Sequence, residues 1–404
     1  MRDIFGRRLP SIEPNSLINC FGGVDVSLII RFLIEAENIL QVHWEMGLYL
    51  SVVVLAVSIA MAAGWLTVLK NSPLVDPLPA VLPPRPKEEG VFAHNALLHG
   101  VEKIGVGQVP GPEDLAVDSH GRIYTGCSDG WIKRVETDGR VVNWMYVGGR
   151  PTGVAVGLHE EILVCDAIQG LLNVTEGKVE VLSTEADGLK YKLTDALDVA
   201  NDGTIYFTDA SHKYDINNYQ LDFLESRPYG RLLKYDPSTG KTTVLVKDLF
   251  FGNGVALSQK QDFLVFCETC KARCQRYWLV GEKKGSVENF IDSLPGYPDN
   301  IRNNKKGKLY VALSSSRSWF GEEVILRFSV LKRFLAHPRI ISIFFNNLPK
   351  TSRILVVSEE GTPLALYEDP NGKEVLDVTS GLEVGEYLYL GSLATNYISR
   401  LKLQ

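Results

Sequence analysis

Six segments of the chain share one plan, and each places an oxygen-bearing side chain at the same point of that plan. In each segment a small turn leads into an apolar strand, and a polar or glycine-containing turn follows before a second strand. The shared position lies just before or at the start of the first strand. Its occupants are Glu113, Thr152, Asp195, Asn253, Asp299 and Thr379. Oxygen donors of this kind bind hard cations such as calcium, in sets of about six to eight.

Four of these positions predict a calcium site. The predicted ligands are Glu113, Asp195, Asn253, Asp299 and the adjacent Asn300. Three carboxylates held close together repel one another unless a cation lies between them. Any one of these residues could instead cap its own turn, which is a common role of Asp and Asn. Their recurrence at equivalent positions favours the metal.

The spacing of the segments predicts the elements that position these side chains. The first four segments begin roughly 40 to 60 residues apart, which is about the length of one propeller blade. We therefore predict an all-β fold, a six-bladed β-propeller, in which the first strand of each blade lines the central channel and the six positions surround one mouth of it. A pair of β-sandwiches would explain the strand content but not the sixfold recurrence.

The last segment is too short for a full blade. We expect a strand from the amino-terminal side, within residues 97–106, to complete that blade and close the ring. Closure removes the exposed sheet edges that otherwise invite aggregation.

The loops that follow the second strands reach the same mouth. His212 could act as a general base there because imidazole titrates near neutral pH, although it could equally be a histidine of a surface turn. Asp299 is the alternative group to activate water. The residues predicted to line the substrate mouth are Thr152, Thr379, Trp319 and Phe320. The two aromatic residues could instead pack under the insertion that follows them.

The first ninety residues differ in composition from the rest. Residues 47–69 contain no charge, and about 20 such residues cross a bilayer as a helix. We therefore predict a single transmembrane helix or signal anchor at 47–69, after an amino-terminal extension at 1–46; a buried core helix is the alternative. Basic residues on both sides leave the orientation open. Residues 70–90 are rich in proline and predict a stiff linker to the propeller at 91–404.

An insertion at residues 330–350 interrupts the fifth segment. It is predicted to be helical, with apolar residues flanked by basic ones. It could form a lid over the mouth, lie on a membrane interface or be a plain packed helix.

Other features concern compartment and partners. Asn173 begins an Asn-Val-Thr acceptor for N-glycosylation, and Cys267, Cys270 and Cys274 could close a small disulfide in a luminal domain. The formal net charge is −6 and the acidic residues are spread out, so nucleic acid is excluded as an expected partner. A small-molecule substrate and a membrane are the partners we expect.

From about residue 90 the chain resembles the strictosidine synthase-like family, which includes plant strictosidine synthase-like proteins and the animal adipocyte plasma membrane-associated protein. The segments GPEDLAVD, RYWLVGEKKGSVENFIDSLPGYPDNIR and LYLGSL carry the resemblance. It implies a six-bladed propeller behind a signal or anchor in the endomembrane system. We accordingly expect a luminal propeller in the endoplasmic reticulum or vacuole.

This family is more distantly similar to paraoxonases and gluconolactonases, which are calcium-dependent esterases and lactonases. The resemblance implies that their calcium ligands correspond to the five ligands named above. Ala196 replaces the acid that relatives often carry after the position of Asp195. Thr152 replaces a paraoxonase histidine, and Thr379 stands where strictosidine synthase uses a glutamate.

The sequence thus predicts a membrane-anchored, calcium-dependent hydrolase of a small ester or lactone. A strictosidine synthase-type carbon–nitrogen lyase is disfavoured because Thr379 cannot replace the glutamate as a proton acceptor. A non-catalytic binding or scaffold propeller is the third possibility, since a fold alone does not define a function.

Overall fold

Short strands joined by tight turns account for most of the chain. The computed structural model of the protein describes residues 27–28, 30–33, 46–348 and 351–403. In the first blade, the turns end at Gly121 and Gly139, whose φ angles are 80° and 86°. Glycine adopts this left-handed conformation without a steric penalty. Each turn therefore reverses the chain between antiparallel neighbours.

The described strands form six four-stranded antiparallel sheets, which are the blades of a propeller. The first strand in the chain is β1 (Glu102–Ile104). The first blade is β2 (Leu115–Val117), β3 (Ile123–Gly126), β4 (Trp131–Val135) and β5 (Val141–Tyr146). The second blade is β6 (Pro151–Val156), β7 (Ile162–Asp166), β8 (Gly170–Thr175) and β9 (Lys178–Ser183). After the hairpin β10 (Glu185–Ala186) and β11 (Leu189–Lys190), the third is β12 (Thr194–Val199), β13 (Ile205–Asp209), β14 (Gly230–Asp236) and β15 (Lys241–Leu249).

The fourth blade is β16 (Gly252–Leu257), β17 (Phe263–Glu268), β18 (Arg273–Trp278) and β19 (Val287–Ile291). The fifth is β20 (Gly296–Asn303), β21 (Lys308–Ser316), β22 (Ser352–Ser358) and β23 (Pro363–Asp369). The sixth contains β24 (Val378–Val384), β25 (Tyr387–Ser392), β26 (Ile398–Lys402) and the early strand β1. The predicted six-bladed fold is confirmed.

Strand β1 closes the ring, as the sequence predicted. It pairs antiparallel with β26, with Lys103 opposite Ser399 and Ile104 opposite Ile398. The last blade is thus built from both ends of the propeller segment. Unfolding either end removes part of the same sheet, so closure makes the blades cooperative.

The innermost strands interrupt their ladders at the predicted ring positions. In five blades the register shifts, and the residues left without a ladder partner include Thr152, Asp195, Asn253, Asp299 and Thr379. A bulge of this kind redirects side chains that regular pairing would alternate between the two faces. The recurring bulge is therefore the local reason why these residues converge at the channel.

Glycine next to the bulge lets neighbouring blades approach closely. A Cβ atom on Gly153 would lie 2.5 Å from the carbonyl oxygen of Asp195, and one on Gly254 would lie 2.5 Å from that of Asp299. A larger residue would push the blades apart at the ring.

Apolar residues fill the seams between consecutive blades. At the seam of blades one and two, Ile132 packs with Val154, Ile162 and Leu172, all fully buried. Similar clusters occupy the other seams. A disulfide joins Cys267 to Cys274, which are opposite each other on β17 and β18.

From residue 46 onward the described helices are α1 (Met46–Lys70), α2 (Tyr219–Glu225), α3 (Ser329–Leu335) and α4 (Pro338–Asn346), with a π-helix at Phe320–Ile325 and 3₁₀ turns at Gly90–Phe92 and Thr269–Lys271. Within α1, Val53–Lys70 is long and apolar enough to cross a membrane. The insertion at 330–350 contains α3 and α4 within its described part; residues 349 and 350, like most of the extension at 1–46, lie outside the described residues.

The chain divides into two compact units. One unit contains residues up to Val75 together with Val330–Ile343, and the other contains Asp76–Ser329 and Phe344–Gln404. Most of the insertion thus groups with α1, whereas the sequence assigned it to the propeller. The periodicity of the blades carries no information about where an insertion packs.

The predicted linker is held against the propeller. Leu78 donates its N–H to the carbonyl of Glu225, and Ala80 donates to that of Leu326. The guanidinium of Arg317 donates to the carbonyl of Pro83. From residue 76 onward the segment is therefore fixed by backbone hydrogen bonds, in addition to the stiffness of its prolines.

Candidate functional site

The five predicted ligands lie together at one mouth of the channel. Their side chains come from four blades, and each residue is between 1% and 7% exposed. Asn300 donates from Nδ2 to Glu113 Oε1 over 3.0 Å, which links blade five to blade one. Asn253 forms a side-chain hydrogen bond with Asp299. The charge of Glu113 acts on both Asp195 and Asp299.

Three oxygen atoms of this ring are buried without a hydrogen-bond partner among the described residues. They are Glu113 Oε2, Asn253 Oδ1 and Asn300 Oδ1. Leaving a buried acceptor unsatisfied costs about 1–3 kcal/mol, so three in one place require an explanation. All three are acceptors, which a cation satisfies directly. The ring therefore fits a hard cation by the chemistry of its donors.

The amides are essential to this set of donors. In the described part of the chain, no group of three or more His, Cys, Asp and Glu side chains is arranged to hold a metal by itself. A cation at the ring would thus depend on Asn253 and Asn300 as well as on the carboxylates. Neutral amide oxygens suit calcium, which accepts carbonyl ligands readily.

Burial gives the ring carboxyls a strong preference for the neutral form. It raises the pKa of Glu113 to about 7, although the charge of Arg150 opposes the shift. Burial, followed by the charges of Glu113 and Asp299, holds the pKa of Asp195 well above its usual range. The pKa of Asp299 is raised by burial, then by Glu113 and Asp377. A divalent cation would reverse these shifts by stabilising the ionised carboxylates.

A buried ion pair fills the channel further along the innermost strands. Arg302 donates to both carboxylate oxygens of Asp114 and to the carbonyls of Leu197 and Val154. Ser380 donates to Asp114 over 2.8 Å. Five blades thus meet at one guanidinium–carboxylate pair. Burial lowers the pKa of Arg302 only to about 10, so the guanidinium stays charged at neutral pH.

Sequence reasoning missed this pair. Its signal is present, since Arg302 is a charged residue on an innermost strand and needs a partner when it is buried. Aligning the six segments reveals only residues at equivalent positions. Arg302 and Asp114 occupy non-equivalent positions on different blades, so the alignment does not pair them.

Two further groups at the mouth were also missed. Arg150 is half-buried and donates to the carbonyls of Pro151 and Gly111. Its positive charge opposes the rise that burial causes in the pKa of Glu113 and in that of Asp195. Asp377 is half-buried with a left-handed φ of 53°, a strained conformation for a non-glycine residue. Its charge acts on Asp299.

The two ring threonines serve the framework. Thr152 Oγ1 lies 2.9 Å from the carbonyl oxygens of both Cys165 and Thr194, and Thr379 Oγ1 donates to the carbonyl of Glu113. Both threonines are buried. Their hydroxyls therefore link neighbouring blades, and the role of these residues at a substrate mouth stays a prediction.

The remaining predicted residues lie apart from these contacts. His212 packs edge to face on Tyr229 and donates its backbone N–H to the carbonyl of that residue. Its Nδ1 is buried and lacks a hydrogen-bond partner within the described ranges. Trp319 and Phe320 are 63% and 56% exposed, so neither packs into a core.

Asn173 lies inside a sheet. It sits on β8 between Leu163 of β7 and Glu180 of β9, and its Oδ1 is buried. Glycan acceptors normally lie on surface loops. Its placement in a sheet disfavours the predicted modification.

An aromatic cluster lies beside the ring. Phe223 of α2 contacts Phe251 edge to face at 4.7 Å and Tyr219 at 5.6 Å. Phe251 is buried and precedes Asn253 by two residues. The charge of Asp299 acts on Tyr219, whose pKa is raised mainly by burial. Helix α2 thus lies beside the ring, close enough for Asp299 to act on Tyr219.

Comparison with known families agrees with this architecture. The family described as strictosidine synthase matches residues 195–282, and the amino-terminal region of strictosidine synthase-like proteins matches residues 90–135. Strictosidine synthase-like protein 4 of Arabidopsis thaliana is 43% identical over 320 residues, covering 77% of this chain and 84% of that protein. The adipocyte plasma membrane-associated protein of Gallus gallus is 35% identical over 378 residues, covering 87% and 89%.

Solved structures share the propeller fold at low identity. A gluconolactonase from Xanthomonas campestris matches with a TM-score of 0.55 and 15% identity, covering 83% of this chain and 99% of that one. A calcium-binding protein, regucalcin, from Agrobacterium tumefaciens matches with a TM-score of 0.52 and 13% identity, covering 74% and 93%. The relatives by sequence establish the family. The chain belongs to the strictosidine synthase-like family.

Proposed function

We propose that the protein is a membrane-anchored hydrolase of a small ester or lactone and that it depends on calcium. The observation that carries this proposal is the set of buried, unsatisfied acceptors Glu113 Oε2, Asn253 Oδ1 and Asn300 Oδ1 beside two further carboxyls. The names of two structural neighbours, a gluconolactonase and a calcium-binding regucalcin, support the same reaction class and ion.

The residues that would hold the ion are Glu113, Asp195, Asn253, Asp299 and Asn300. A calcium ion bound there supplies a Lewis acid that polarises the carbonyl oxygen of the substrate. The burial of these five residues strengthens electrostatic interactions at the ring.

Proton transfer requires a base at the same mouth. Asp299 is the first candidate because it is part of the ring. It accepts a hydrogen bond from Asn253, and the charge of Asp377 raises its pKa. His212 remains a second candidate, but its packing on Tyr229 means that it would have to move. The positive charge of Arg150 favours negative charge that develops beside Glu113 and Asp195.

The anchor in this proposal is α1, with the propeller in the lumen of the endoplasmic reticulum or vacuole. The length and apolar composition of Val53–Lys70 support the anchor, and so does the similarity to proteins named as plasma membrane-associated. The disulfide between Cys267 and Cys274 agrees with an oxidising compartment.

A strictosidine synthase-type lyase is the less favoured function. Thr379 occupies the position of the catalytic glutamate, and its hydroxyl donates to the carbonyl of Glu113. A buried threonine committed to the backbone does not accept a proton at neutral pH. Incubation with tryptamine and secologanin should therefore yield no condensation product, and clear product formation would overturn this reasoning.

The proposal is tested by measuring aryl-ester and lactone hydrolysis by the full-length protein in detergent. Activity should fall with a chelator and return with added calcium. Asn253→Ala should lower activity at least tenfold at limiting calcium, because it removes one of the unsatisfied acceptors. Asn289→Ala is the matched control, since Asn289 is exposed on the outer strand β19. Activity that survives both chelation and Asn253→Ala would refute calcium-dependent hydrolysis.

A further inference from the structure

Part of the insertion is attached to the carboxyl-terminal end of α1. Residues Val330–Ile343, which we call the insertion segment, belong to the same compact unit as that helix. Arg333 donates from Nη2 to the carbonyl of Leu69 over 2.7 Å and from Nε to that of Leu74 over 3.1 Å. A cation that donates to the last carbonyls of a helix also complements its dipole. Arg333 thus holds the insertion segment at the point where α1 ends.

A stacking contact sets the level of the insertion segment along α1. Phe334 stacks on Trp65 with ring centroids 4.4 Å apart. The apolar span ends at Lys70, five residues after Trp65. At about 1.5 Å per residue this is roughly 8 Å of helix. Helices that lie on a bilayer bury their apolar face about 5–10 Å deep, at the boundary of headgroups and acyl chains. A bilayer crossed by α1 therefore holds Phe334 at the depth of an interfacial helix.

Apolar side chains of the insertion segment are exposed beside that span. Val330 is 54% exposed and Ile343 is 64% exposed, and Leu66 near the end of α1 is 68% exposed. Helix α4, which carries Ile343, has no buried residue although five of its nine residues are Ile or Phe. Exposed apolar surfaces of this kind meet another protein or a membrane. Because the segment is joined to a helix that itself requires lipid, the same bilayer is the partner that its surface fits.

The charge of the insertion segment complements an anionic membrane. The segment contains Lys332, Arg333 and Arg339 and no Asp or Glu. Lys332 is buried, whereas Arg339 is exposed, as is Lys70 at the end of α1. Basic residues next to a membrane-spanning helix attract anionic lipid headgroups. Arg339 and Lys70 are therefore the groups that can meet those headgroups.

We propose that the insertion segment lies in the headgroup layer of the bilayer that α1 crosses and binds anionic phospholipid headgroups through Arg339 and Lys70. This inference rests on the anchoring role proposed for α1. The segment and α1 act as one membrane-bound element, because Arg333 and Phe334 join them.

The experiment uses the full-length protein reconstituted in vesicles of phosphatidylcholine and phosphatidylserine. Ile343→Trp adds a fluorophore at an exposed position, and its emission is the difference from the wild type. A nitroxide on the lipid headgroup should quench this emission about twofold more than one in the middle of the acyl chain. Leu158→Trp is the matched control, since Leu158 is 52% exposed in the other unit and should be quenched by neither label. Equal quenching of the two variants would overturn the proposal, and so would stronger quenching of Ile343→Trp by the acyl-chain label.

The lipid preference is tested with vesicles of phosphatidylcholine alone. Headgroup quenching of Ile343→Trp should be weaker there than with phosphatidylserine. Adding Arg339→Gln to this variant should reduce the difference between the two lipid compositions. Equal quenching of Ile343→Trp in both compositions would refute binding to anionic headgroups.

An alkaline carbonate wash separates this inference from the anchoring proposal, because a spanning protein stays in the vesicles and a surface-bound one is released. If the protein resists the wash but the headgroup label does not quench Ile343→Trp, the inference is refuted and the anchor stands. If the protein is released although Ile343→Trp was quenched before the wash, the contact is supported and the span is refuted. Release without prior quenching refutes both.

Discussion

Replacing Arg302 by methionine tests whether one ion pair holds the blades together at the channel. The substitution keeps much of the side-chain volume but removes the N–H groups that serve Asp114, Val154 and Leu197. Asp114 would keep only the donors Val154 N–H and Ser380 Oγ. Breaking a buried pair by removing one partner costs about 3–5 kcal/mol. The free energy of unfolding should fall by about that amount.

Urea unfolding of the detergent-solubilised protein, followed by tryptophan fluorescence, measures this loss. The double variant Asp114→Leu/Arg302→Met should recover much of it, because no uncompensated charge remains buried. Arg140→Met is the control, since Arg140 pairs with Asp138 at the surface. Exposed pairs of this kind contribute about 0–1 kcal/mol.

Two results would refute this reasoning. One is an Arg302→Met variant within about 1 kcal/mol of the wild type, which is the range of a surface pair. The other is a double variant that is less stable than Arg302→Met alone. Either result would mean that the pair fills the channel without joining the blades.

Two further predictions concern buried groups near the ring. Burial raises the pKa of Asp222 on α2 to about 7, so the folded state holds a proton that the unfolded chain releases above pH ~4. Stability should therefore fall as pH rises from about 4 to about 7, and Asp222→Asn should remove about 2–3 kcal/mol of that loss when unfolding is compared at pH 5 and pH 8. Equal pH dependence in both proteins would contradict this assignment. Gly254→Ala should cost about 1–3 kcal/mol in thermal or urea unfolding, because its Cβ would meet the backbone of Asp299 at 2.5 Å; an unchanged stability would show that the blades can separate there.

Much of the architecture follows from the repeat. Segments that share one pattern form equivalent units, so the blades and the ring positions Glu113, Asp195, Asn253 and Asp299 were predictable. The closing strand followed from the missing outer strands of the last segment. The bulge that redirects the ring residues was not predictable, because it depends on pairing between strands.

What the repeat could not show are contacts between non-equivalent positions. Arg302 and Asp114 are 188 residues apart, and periodicity relates neither to the other. Thr152 and Thr379 occupy the repeat position that surrounds the mouth of the channel. Their hydroxyls nevertheless donate hydrogen bonds to carbonyl groups of adjacent blades. The attachment of Arg333 to the end of α1 depends likewise on packing that no local pattern encodes.

The most direct test of the ring as a cation site is calorimetric titration of calcium into the full-length protein at pH 6. The wild type should bind a single equivalent and release protons, because burial raises the pKa of Glu113 to about 7 and a cation favours the ionised form. Asp299→Asn should abolish or strongly weaken binding, while the exposed Asp138→Asn should not. Absence of calcium binding by the wild type, or equal binding by Asp299→Asn, would contradict the assignment of the ring.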